Sequence, residues 1–122
     1  MITCPTAAEL QAALTLFDRD DAGPADPRRV FLARVADNAR ALLDREATLG
    51  EAAEAGERAR LAVLLGVEGD FTDLNRQLCD ALRSGAIEPR DPALLDHLRA
   101  TAIARIAIDQ PGYCGLEALL GD

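Results

Sequence analysis

At 122 residues, 49% of them hydrophobic and 3% aromatic, the chain suits one domain that buries roughly two-thirds of its unfolded surface. Its core has to be built from Leu, Ala, Ile and Val. A formal net charge of -8 argues against a nucleic-acid face, which needs clustered cations. Every basic residue is arginine, which excludes both a Schiff-base lysine and a lysine-bearing phosphate loop.

Thr6 and Glu9 form a capping box that opens a first helix running to about Phe17, with Leu10, Ala13, Leu14 and Phe17 on its buried face. Residues 18–27, DRDDAGPADP, then read as a polar, mobile loop with two prolines and a glycine. Asp26 and Pro27 start a second helix to about Ala47. Its inner side carries Phe31, Val35, Ala39, Leu42 and Leu43, with Glu46 in the middle of that side and Asn38 at its edge. Gly50 permits a break.

A third helix is expected from Glu51 to Leu65. Ala52, Ala55, Gly56, Ala59 and Ala62 share one face, a seam that admits a neighbouring backbone. The Leu61–Leu65 end is apolar nearly all round, which implies deep burial or a partner surface. Gly66 ends it. Asp70 and Asp73 cap a fourth helix to about Arg83, stopped by Gly85; Phe71, Leu74, Leu78 and Leu82 form its stripe, with Asn75 at the edge.

The strongest element runs from Asp91 to Asp109. Asp91 caps it, Pro92 fits the first helical position, and Pro111 forbids continuation. Leu94, Leu95, Leu98, Ala102 and Ile106 fall within about a third of its circumference. Arg105 and Asp109 project inside that arc, four residues apart. An exposed pair of this kind contributes only ~0.2–0.5 kcal/mol, so Asp109 is expected to have further partners. Either the pair braces the C-terminal turn, or one charge faces a ligand. A tail, residues 116–122, docks as one apolar turn or frays.

No segment alternates with period two between hairpin turns. The expected fold is therefore all-α, an up-and-down helical bundle of about five helices in a single domain, 1–122. There is no run of ~20 apolar residues and no basic, apolar leader, so no membrane span and a cytoplasmic location are expected.

Catalytic chemistry is sparse. Cys4, Cys79 and Cys114 fit no zinc or disulfide pattern, and Cys79 reads as a small core residue. The one serine and one histidine, Ser84 and His97, lack a nucleophile elbow. His97 lies outside the main stripe, as a solvated or rim residue would. No Glu-x-x-His motif is present for a metal-carboxylate site, and neither metal nor cofactor is expected. What remains is a set of polar residues in or beside apolar stripes: Asn38, Glu46, Asn75, Arg105 and Asp109. They either line one polar pocket at a bundle end or separately brace helix ends.

The stretches VFLARVADNARALLDRE, LGEAAEAGERARLAVLLG, DLNRQLCDALRSG and DPALLDHLRATAIARIAIDQPGYCG resemble an uncharacterised family of small bacterial domains, over Val30 to Gly115. The most specific pieces are RVADNA (Arg34 to Ala39), LNRQLC (Leu74 to Cys79) and IAIDQP (Ile106 to Pro111). Where the family often has His, this chain has Leu32. The family's recurrent polar positions match Asn38, Asn75 and Asp109. Its members are commonly encoded beside aminoglycoside-phosphotransferase-like kinases and acyl-CoA dehydrogenases, and the small companion of the 4-hydroxyacyl-CoA kinase of levulinate breakdown looks like this family. The resemblance thus implies a non-catalytic accessory subunit for a phosphotransferase-like acyl-CoA kinase. The alternatives are a module binding a small acyl thioester around Glu46, Arg105 and Asp109, or a homodimeric interaction bundle closed through the alanine seam or the Leu61–Leu65 end.

Overall fold

A computed structural model describes residues 4–20 and 26–121. It is all-α, with five helices and no strand among the described residues: α1 (Ala7–Arg19), α2 (Pro27–Leu65), α3 (Phe71–Ser84), α4 (Pro92–Asp109) and α5 (Leu116–Leu120). Two compact units divide the chain, Met1–Leu49 and Gly50–Asp122.

The main departure from expectation is α2, one helix of 39 residues where two had been expected. Gly50 is helical and buried. A lone glycine costs ~1 kcal/mol of helix propensity, but Ala47, Glu51, Ala52 and Ala53 on either side favour the helix, and no proline follows. Positive φ, the mark of a glycine that ends a helix, occurs among the described residues at Gly66 (69°) and Gly85 (76°). Those two glycines do stop α2 and α3.

In the first unit, α1 opens on the expected capping box: the Thr6 backbone N–H donates to Glu9 Oε2 at 2.8 Å and the Glu9 N–H to Thr6 Oγ1 at 3.2 Å. Asp26 caps α2, accepting from the Arg28 N–H at 2.9 Å. Of the expected loop, residues 21–25 lie outside the described residues, while Asp18 and Arg19 form the last turn of α1. Charges join the two helices. Arg40 meets Asp18 at 2.5 Å and Asp37 at 3.0 Å, and Arg29 meets Asp20 at 3.3 Å while lying over the Phe17 ring. Only Ala36 is a buried apolar residue among those described in this unit; Phe31 and Val35, expected on the inner face, are exposed.

The second unit has a true core. Leu61 of α2, Leu74 and Leu78 of α3 and Leu94 of α4 are buried together, flanked by Ala62, Leu64, Leu65, Phe71, Leu82 and Ile87. Asp70 caps α3 through the Asp73 N–H at 2.9 Å, and Asp91 caps α4 through the Ala93 N–H at 2.8 Å. The tail is docked as α5, whose Leu119 carbonyl accepts two bonds from the Arg99 guanidinium at 3.1 and 2.7 Å.

Two expectations fail here. The α4 helix is rotated by roughly a quarter turn from the expected face: Leu94, His97 and Ile108 are buried, whereas Leu95 and Leu98 are about half exposed. Apolar residues surround this helix nearly everywhere, so pattern alone did not select the inner arc. Cys79 is exposed rather than in the core. In the alanine seam Ala52, Ala55 and Ala59 are exposed; the nearest neighbour to a side chain added at Gly56 is Arg60 Nη1 of the same helix, at 3.3 Å. Val63, in the apolar end of α2, is 85% exposed while Leu61 is fully buried.

Candidate functional site

The second unit buries two ionisable side chains, Glu57 at 2% and His97 at 3% exposure. Burial of such groups demands partners, since desolvating an ion costs several kcal/mol. The partners come from the facing sides of two helices. On α2, Glu57 and Arg60 are one turn apart; on α4, His97, Thr101 and Arg105 recur every fourth residue and share a face. Glu57 Oε1 accepts from Arg105 Nη2 at 3.3 Å, and Arg60 Nη2 donates to Thr101 Oγ1 at 3.3 Å. Three buried polar atoms of this cluster have no hydrogen-bond partner among the described residues: Glu57 Oε2, Arg60 Nε and His97 Nδ1.

Burial is the main influence that holds the His97 pKa below its ordinary value, and the Arg60 cation adds to it; the Glu57 carboxylate pulls weakly the other way. Folding of the chain therefore favours the neutral imidazole over the charged one. Its unfolded form takes up a proton as pH falls through 6.5 while the folded form resists. Stability is thus lost as pH falls below 6.5, until the folded imidazole also takes up its proton. The slope can reach at most about 1.4 kcal/mol per pH unit, the limit for one proton. Urea midpoints measured across that window should fall toward acid in the natural chain and change distinctly less in His97→Gln. Equal slopes would mean that His97 titrates alike in both states.

Beside the cluster runs a groove of about 380 Å³ lined by Ala59, Arg60, Val63 and Leu64 of α2 and Ala93, Asp96 and His97 of α4. Among the described residues no group of three or more His, Cys, Asp or Glu is placed to hold a metal ion. Ser84 Oγ donates to the Ala81 carbonyl at 3.1 Å, as a helix-end serine does.

Of the five residues singled out from the sequence, Arg105 belongs to this cluster. Asn75 is half-buried, but its Nδ2 bonds the Phe71 carbonyl of its own helix at 3.0 Å. Asp109, the last residue of α4, is exposed. Asn38, exposed, and Glu46, half-buried, fall in the first unit. The pairing expected within α4 is replaced at Arg105 by a bond across to α2. Glu57, Arg60, His97 and Thr101 were missed. The sign that could have found them is the recurrence of polar residues at helical spacing on two apolar helices, 57 and 60 against 97, 101 and 105.

Comparison with known protein families matches residues 24–113 to a domain of unknown function, DUF6285. That stretch is most of the chain and contains the whole cluster. The chain belongs to the DUF6285 family. The match covers nearly the stretch over which the sequence resembles small bacterial domains. No curated protein and no solved structure matches this DUF6285 chain. Among its described residues no helix is long and apolar enough to cross a membrane.

Proposed function

We propose that this DUF6285 protein is a cytoplasmic, non-catalytic accessory subunit that binds a phosphotransferase-like acyl-CoA kinase and supports its turnover. The kinase is the partner that the family resemblance implies. The observation in favour is the apolar surface of the first unit. Phe31 and Val35, four apart on one face of α2, are 65% and 47% exposed, Val30 beside them is 50% exposed, and Leu16 of α1 is 69% exposed. Isolated exposed apolar residues are ordinary, but several on one short stretch mark an interaction surface.

Co-expression with a kinase of that class tests the reading. A co-purifying complex with raised kinase turnover is expected, and Phe31→Glu should weaken the complex while leaving the helical content of the chain unchanged. A kinase fully active alone, with no complex formed, rules the proposal out.

A further inference from the structure

The groove between the second half of α2 and the start of α4 combines features that no accessory role requires. One wall is aliphatic: Ala59, Val63, Leu64 and Ala93. The polar lining is Arg60, His97 and Asp96. His97 is 3% exposed, and its Nδ1 has no hydrogen-bond partner among the described residues. Arg60 is half-buried, and among the described residues its side chain hydrogen-bonds to a neutral hydroxyl, that of Thr101. Among the described residues no carboxylate stands within ion-pair distance of its guanidinium, although Arg29, Arg40, Arg76, Arg83 and Arg105 each make such a pair. A half-buried guanidinium of this kind is best satisfied by a planar anion, which it can bind through two parallel bonds. A volume of about 380 Å³ lies within the range of small-molecule sites, and an apolar wall with a few converging polar groups is their usual make-up.

We propose that this groove binds a small aliphatic carboxylate, its head at Arg60 and its chain along Val63 and Leu64. His97, whose neutral form burial favours, lines the groove beside the head without adding a second charge. One cation beside an apolar wall favours a singly charged head with a hydrocarbon tail over inorganic phosphate. Asp96, exposed at the rim, opposes any anion and so sets a modest affinity. The site lies wholly in the second unit and concerns the isolated chain, so it stands or fails separately from the kinase partnership.

His97 is the only histidine, which makes its imidazole NMR signals an unambiguous reporter. Titrating hexanoate into the full chain should shift those signals saturably. Butanoate should bind roughly tenfold more weakly, for two fewer buried methylenes, and hexylamine and inorganic phosphate should not saturate. Asp96→Asn should tighten hexanoate binding and Arg60→Gln should weaken it. Val63→Glu tests the wall without touching the fold, because Val63 is 85% exposed; it should abolish binding. The proposal is overturned if hexanoate causes no saturable shift at tens of millimolar. It is equally overturned if hexylamine binds as well, if Asp96→Asn weakens binding, or if Val63→Glu binds unchanged. A chain that light scattering shows to be a dimer, made monomeric by Val63→Glu and silent to hexanoate, would assign the groove to a second copy instead.

Discussion

Replacing Leu74 by alanine is expected to destabilise the second unit by about 2–5 kcal/mol, the usual range for a buried leucine truncated inside a packed core. Leu74 is fully buried, and it meets Leu61, Leu78 and Leu94 from two other helices and its own. Its side chain also lies 3.5 Å from where a side chain on Gly69 would begin, so the turn before α3 closes over it. Helices on several sides restrict collapse into the space left behind, which places the loss toward the upper part of that range. Urea unfolding followed by circular dichroism should show a lower midpoint with the slope unchanged. Leu16→Ala is the control: that residue is 69% exposed, and its truncation should change stability by no more than about 0.5 kcal/mol. If the two variants behave alike, the core has been assigned to the wrong leucines.

Helix ends were legible in the sequence because caps are local chemistry. Thr6 with Glu9, Asp70, and Asp91 with Pro92 each act within three residues of themselves, and all three cap their helices. Gly66 and Gly85 stopped their helices for the same local reason. Gly50 looked identical in sequence but adopts no positive φ, so the break expected there does not occur. The orientation of α4 was not legible. Leu94 lies at the shared edge of two apolar arcs, and the choice between them depends on what α2 presents across the gap. That information is tertiary. It also hid the polar cluster, because a histidine flanked by leucines reads as surface until a buried glutamate is known to face the same space. Arg105 was noticed only because it stood inside an apolar arc, and its partner proved to be Glu57 on α2 rather than a residue of its own helix.

Arg105→Ala should destabilise the chain by about 1–3 kcal/mol, the cost of leaving a buried polar group without its partner. Glu57 has 2% exposure, its Oε1 is held by Arg105 at 3.3 Å, and its Oε2 already lacks a partner. Breaking a fully buried ion pair can cost 3–5 kcal/mol. Here the Arg105 side chain is 53% exposed, so water solvates the cation and moderates the loss. Glu57→Leu is expected to be neutral or stabilising, since it removes a buried carboxylate and puts an aliphatic side chain of similar size in its place. In that background Arg105→Ala should cost only about 0.5 kcal/mol, so a double-mutant cycle should show clear coupling. No coupling would mean that Arg105 acts through the packing of its aliphatic stem instead. A second readout separates stability from chemistry. The Glu57 carboxylate raises the His97 pKa against the effects of burial and Arg60, so Glu57→Leu should lower it further in an NMR titration of the single histidine. A chain that becomes more stable while its one imidazole becomes harder to protonate would show that Glu57 tunes the charge of His97 at a cost to folding.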